Sequence, residues 1–125
     1  MDEPVAYESA SPITDGGMLR CPGCGNTNLH QYEVAVFYRL EDADEVLRTT
    51  VVHGASPDWH GNHQLPQRRL MVDEMPNDGS GNPSSRRHGL VIRFWCEHCS
   101  SRPELVVAQH KGAEFCEWRH FYKCP

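Results

Sequence analysis

Two short cysteine hooks, Cys21-Pro22-Gly23-Cys24 and Cys96-Glu97-His98-Cys99, limit what this chain can become more than anything else in it. Cysteines separated by two residues cannot easily bond to each other without strain. Both can aim their sulfurs at one tetrahedral metal ion, and two such hooks provide four thiolates. Soft sulfur donors in a closed tetrahedron favour zinc or iron over magnesium or calcium, and zinc suits the set best. In the first hook Pro22 presets one backbone angle, while Gly23 and Gly25 permit the tight turn that lets amides face the sulfurs. The expectation is one structural Zn²⁺ ion on Cys21, Cys24, Cys96 and Cys99. Four thiolates leave no open coordination position, so catalysis at this metal is not expected.

The use of such a staple follows from size. A chain of 125 residues has room for one domain and one modest core, and only 38% of its residues are hydrophobic. Structural zinc sites carry apparent binding energies of roughly 10–16 kcal/mol, coupled directly to folding. No apolar run approaches the ~20 residues of a membrane helix, and the acidic, proline-bearing start does not read as a signal peptide. A reducing cytoplasm is therefore expected, where paired cysteines bind metal. The even count of six cysteines leaves a secreted disulfide framework as the alternative. Of the net charge of −5, residues 1–17 account for −4 through Asp2, Glu3, Glu8 and Asp15, which leaves −1 for the rest.

Along the chain, residues 1–17 read as a disordered acidic leader and 18–125 as a single domain. Leu29–Leu40 alternates as a half-buried strand, with Tyr32, Val34, Val36, Tyr38 and Leu40 on one face and Gln31, Glu33 and Arg39 on the other. Glu41, Asp42, Asp44 and Glu45 make an acidic hairpin tip, and Glu45–His53 returns as a second strand. From about 54 to 88 the pattern dissolves into a long proline- and glycine-rich loop, interrupted by a short strand at Arg69–Asp73. Gly89–Cys96 resumes as a strand that feeds the second hook, followed by strands at Glu104–His110 and Ala113–Phe121. No window has helical periodicity. The expected fold is small, metal-stapled and all-β, with about five antiparallel strands, a metal site at the strand ends and a long irregular insertion.

Hooks mounted on β-strands and pinching one zinc ion are the arrangement of zinc ribbons, which this chain resembles through Cys21, Cys24, Cys96 and Cys99. It departs from the compact ribbon in spacing: 71 residues lie between Cys24 and Cys96, against ~15–20 in the short motif. The stretch from Asn82-Pro83-Ser84-Ser85-Arg86-Arg87-His88-Gly89-Leu90 through Phe94-Trp95-Cys96 to Ala108-Gln109-His110-Lys111-Gly112 is also similar to a group of small bacterial and phage zinc-ribbon proteins. That resemblance implies the fold and the metal and carries no established activity.

Several further residues could carry function. Arg86, Arg87, His88, Arg93, Trp95 and Arg102 form the best basic and aromatic cluster, suited to a macromolecular partner. Overall acidity favours a protein, such as one of bacterial transcription or defence machinery, over a nucleic acid, whose binding is dominated by phosphate neutralisation. The bland alternative is that Arg86 and Arg87 pair with the acidic tip at 41–45 and hold the long loop down. His60 and His63 suggest a metal-dependent nuclease only weakly, because they are crowded into four residues with no helix after them. Cys116 reads as a small packed hydrophobe and Cys124 as part of a fraying end, with a second metal site on the two and a histidine as the alternative. No phosphate-cradling loop, nucleophile elbow or His-Glu-x-x-His motif is present. No small-molecule substrate is evident. The expectation is a non-enzymatic zinc-ribbon module that binds a protein, with nucleic-acid binding as the alternative.

Overall fold

The computed structural model describes residues 6–12, 14–53 and 70–124. These form β1 (Ala6–Ala10), β2 (Thr14–Asp15), β3 (Met18–Leu19), β4 (Leu29–Tyr38), β5 (Val46–His53), β6 (Leu70–Asn77), β7 (Gly89–Cys96), β8 (Glu104–His110) and β9 (Ala113–Tyr122). There is no helix among the described residues, and so none long and apolar enough to cross a membrane. Seven strands build one antiparallel sheet in the order β1-β9-β8-β7-β4-β5-β6, and β2 pairs with β3 apart from it.

Six of the seven strands form two three-stranded meanders, β4-β5-β6 and β7-β8-β9, joined along β4 and β7. Because β4 and β7 run antiparallel, the start of one lies beside the end of the other, and Leu29 pairs with Cys96. The all-β expectation therefore holds, with more strands than the five expected. Ala6–Ala10, expected in an irregular leader, instead pairs with β9 as an edge strand. The short strand expected at 69–73 extends to Asn77, because β6 pairs with the whole of β5, from Val46↔Asn77 to His53↔Leu70. Pro76 is tolerated there because β6 is an edge strand, where no neighbour needs the missing N–H.

Two clusters form the core, one on each face of the sheet. Ala35, Phe37, Val46, Val91 and Val106 pack on one face. Phe94, Leu105, Trp118 and Phe121 pack on the other, with Ala10, Leu19, Leu29 and Ile92 against them. Trp118 and Phe121 are three positions apart, a spacing that alternation would send to opposite faces. His120, at φ 57°, breaks the alternation and lets both side chains turn inward.

The sequence places β4's apolar face inward, and the structure reverses it. Ala35 and Phe37 are buried at 5% and 3% exposure, whereas Val36 and Tyr38 are 47% and 54% exposed. The segment between β6 and β7 explains the reversal by covering the Phe37 face. A Cβ built on Gly81 would lie 3.6 Å from Phe37 Cζ, and one on Gly79 would lie 3.6 Å from Val46 Cγ2. That cover is ordered by its own polar side chains. Asn77, Asp78 and Asn82 accept backbone N–H bonds from Gly79, Ser80 and Ser84, and the Ser84 hydroxyl donates to the Gln109 carbonyl.

Candidate metal centre

The antiparallel register of β4 and β7 solves the spacing problem posed by the 71 intervening residues, since one hook precedes β4 and the other follows β7. Local hydrogen bonds shape each hook. The Gly25 N–H donates to the Cys21 carbonyl and the Cys21 N–H to the Asn26 carbonyl, both at 2.7 Å, while Arg20 donates to the Gly25 carbonyl at 2.8 Å. The hooks are tied together by the Glu97 N–H on the Asn28 carbonyl and by His30 Nε2 at 2.6 Å from Glu97 Oε1. The His30 contact holds the Glu97 carboxyl below its ordinary value.

One sulfur atom from each of Cys21, Cys24, Cys96 and Cys99 lies within 4.8 Å of all the others. Metal–sulfur bonds of about 2.3 Å in a tetrahedron require sulfur–sulfur edges of about 3.8 Å. The Cys21–Cys99 and Cys24–Cys96 separations are 3.9 and 3.6 Å. Backbone N–H groups of Gly23 and His98 approach the sulfurs of Cys21 and Cys96 at 3.3 and 3.4 Å, the contact that favours thiolate over thiol. Burial, helped by the neighbouring Cys96 and Cys24 sulfurs, pushes the Cys21 thiol up to about 12 against the pull of the Cys24 and Gly23 amides. Crowded, buried sulfurs of this kind ionise readily only beside a cation. The four residues therefore fit a metal ion.

A fifth sulfur reaches the centre. Cys99 and Cys124 are joined as a disulfide, so Cys99 belongs both to the four-sulfur cluster and to this pair. Cys124 is not a fraying end: its N–H donates to the Gly23 carbonyl at 2.9 Å, and a Cβ on Gly23 would lie 3.1 Å from its sulfur. Cys116 also departs from expectation, since it is exposed on β9 rather than packed. His60 and His63 lie outside the described residues.

The basic cluster is largely turned toward the protein's own acids. Arg86 makes two 2.7 Å bonds to the Asp42 carboxylate, and Arg87 lies 2.7 Å from Glu41. This is the pairing of arginines with the acidic tip, and it pins the β6–β7 segment to the β4–β5 turn. Arg93 sits between Glu33 and Glu104 at 2.9 and 3.0 Å, and its Nε forms no well-aligned hydrogen bond there, so charge rather than directionality holds it. His88 accepts a bond from the Arg39 N–H at 3.0 Å and stacks on Tyr38, and Trp95 stacks on His30 with centroids 4.3 Å apart. Arg102 is exposed beside the second hook.

Sequence reasoning missed a second surface. On the face opposite Phe37, Val36 pairs with Leu90 and Leu90 with Val107, while Tyr38 pairs with Leu47. Val36, Tyr38, Leu47 and Val72 are exposed, and an open groove of about 450 Å³ runs between Val36, Tyr38, Leu90 and Val107. The signal was the apolar alternation of β4 itself, whose direction it could not give. Comparison with protein-family models, curated proteins and solved structures returns no significant match.

Proposed function

We propose that this chain is a non-enzymatic module of the reducing cytoplasm, in which one Zn²⁺ ion staples the sheet and the uncovered apolar face binds a protein partner. The observation that carries the reading is that face. Val36, Tyr38, Leu47, Leu90 and Val107 form a contiguous strip across four strands, and exposed apolar patches on soluble proteins mark contact surfaces. Zinc is favoured by the four-thiolate set, and a saturated zinc serves as a fastener rather than a Lewis acid.

Charge favours a protein over a nucleic acid. A nucleic-acid surface needs cations free to neutralise phosphate. Here Arg86, Arg87 and Arg93 already face carboxylates, and the chain carries −5 overall. A valine-, leucine- and tyrosine-lined face instead matches the apolar centre of a protein interface.

The test is a photo-crosslinking residue placed at Val36 or Leu90 in producing cells, with Lys111 as the control position. A discrete protein adduct from 36 and 90, absent from 111, is expected. Crosslinking to nucleic acid, or the same yield from all three positions, would sink the reading. Metal content is measured on the same preparations, with one zinc per chain expected.

A further inference from the structure

Five cysteine sulfurs converge on a site that needs four. The surplus one is Cys124, positioned by two independent contacts: its amide on the Gly23 carbonyl and its sulfur on Cys99. Gly23 itself shows how closely the first hook, the segment after the second hook and the end of β9 are fitted together. A Cβ there would collide with the Tyr122 carbonyl and would meet Ser101 Cβ at 3.1 Å. The Tyr122 N–H is in turn held by the Ser101 hydroxyl at 3.1 Å. The end of β9 is thus docked against both hooks, and Cys124 is presented to one particular ligand.

We propose that Cys99 and Cys124 form a thiol–disulfide site that couples oxidant to metal retention. This rests on the zinc reading above. In the reduced, loaded protein Cys99 serves as a ligand and Cys124 stands beside it as a thiol. A peroxide is the oxidant. The Cys124 sulfur attacks one peroxide oxygen, the O–O bond breaks, and Cys124 becomes a sulfenic acid as one water leaves with the thiol proton. The Cys99 thiolate then attacks that sulfenyl sulfur. The S–O bond breaks, the S–S bond forms, and the departing hydroxide takes a proton from solvent to give a second water. Two electrons pass from the sulfurs to the peroxide. The electron pair that Cys99 offered the metal now lies in the disulfide, so the hooks keep three ligands and their hold on the ion weakens.

One backbone arrangement is compatible with both states. Cys99 Cα and Cys124 Cα are 6.2 Å apart, inside the range that a disulfide spans. In the same arrangement the Cys99 sulfur lies 3.9 Å from that of Cys21, inside the metal cluster. One sulfur can therefore serve either partner with little rearrangement. A reductant thiol reverses the exchange and restores the fourth ligand.

The experiment uses the full chain, reduced and loaded with zinc, treated with hydrogen peroxide in the presence of a colorimetric zinc chelator, and then mapped by mass spectrometry. The expected result is a peptide pair linking Cys99 to Cys124, with a loss of two hydrogens, appearing in step with free zinc and reversed by dithiothreitol. Cys124→Ser should bind one zinc when reduced, lose that link and release zinc more slowly. Links only among Cys21, Cys24, Cys96 and Cys99, or equal release from Cys124→Ser and the parent, would overturn the proposal. The two readings fail separately: a reduced chain that takes up no zinc refutes the metal centre, and the peptide map then reports on the pair alone.

Discussion

Removing the metal should loosen one end of the sheet before the rest. The hooks adjoin the cluster of Phe94, Leu105, Trp118 and Phe121, against which Leu19 and Leu29 also pack: Phe94 lies two residues before Cys96 on β7, and the Cys124 N–H past the end of β9 donates to the Gly23 carbonyl. The Phe37 cluster has its own cover from the 78–82 segment and needs no metal. Structural zinc is worth roughly 10–16 kcal/mol of apparent binding at neutral pH, as large as the whole stability of a domain, about 5–15 kcal/mol. If two thirds of it is offset by the freedom that the hooks regain, about 4 kcal/mol remains. At about 4 °C per kcal/mol for a chain of this size, the melting midpoint falls by about 15 °C. Two indoles report where the loss occurs. Trp118 is 1% exposed in the Phe94 cluster, and Trp95 stacks on His30 directly before Cys96. In a Trp59→Phe background, chelator added under reducing conditions should red-shift the emission while far-ultraviolet circular dichroism keeps much of its strand signal. A metal-free, fully reduced protein with unchanged emission that melts within about 3 °C of the loaded one would refute the argument.

Other outcomes follow from particular contacts. Phe37→Ala should cost about 3–5 kcal/mol because it empties a buried site, while Val36→Ala should cost under about 0.5 kcal/mol; denaturant midpoints check the pair, and equal costs would refute the assigned faces. Gly23→Ala drives a methyl into the Tyr122 carbonyl and against Cys124, so a destabilisation of about 1–3 kcal/mol is expected from overpacking, read as a lower urea midpoint. Arg86 holds the Asp42 carboxyl below its ordinary 3.8. The stabilisation from that contact is therefore fully present above pH 3.8 and lost as pH falls through the lower folded-state value. In Arg86→Ala the Asp42 titration followed by NMR should move back toward 3.8, and an unmoved midpoint would show that the contact does not exist in solution.

The hooks were legible because ligand chemistry is local: two cysteines, two residues apart, declare their use without knowledge of the fold. The strands 89–96 and 104–110 were legible to the residue, since glycine or proline and a hook bound them. What could not be read was which side of β4 faces inward. Both faces carry apolar residues, and the choice depends on Gly79 and Gly81 reaching back over Val46 and Phe37 from more than thirty positions away. The setting of Arg86 and Arg87 was hard to read for a related reason. Arg86 and Arg87 look like a free basic patch until the turn that places Asp42 and Glu41 opposite them is known, although the acidic tip supplied the signal for that pairing. Cys124 was hidden because nothing local distinguishes a docked chain segment from a frayed one.

The reversal of β4 and the placing of the metal are connected. A single sheet has two faces to cover, and a chain this short covers each only in part. The β6–β7 segment takes the Phe37 face. On the other, β1 and β3 shelter the end that holds Trp118, and among the described residues the strip from Val36 to Val107 stays exposed at Val36 and half-buried at Leu90 and Val107. Twisting β4 to hide Val36 would expose Phe37 and break its contact with Gly81, so the uncovered strip cannot be removed by local adjustment. The metal cannot reach it either, because the hooks sit at the Leu29 and Cys96 end of the β4–β7 pair and the strip lies toward Gly89. On the reading proposed above, the two ends divide the work. The thiol end sets how firmly the Trp118 end of the sheet is held, and the valine strip is where another protein completes the core. Oxidation at Cys99 and Cys124 would then weaken partner binding without touching the contact surface. That coupling is measurable as a fall in Val36 crosslinking after peroxide treatment of the parent, with a smaller fall in Cys124→Ser. An equal fall in both proteins would show that the two ends are not linked through this sulfur pair.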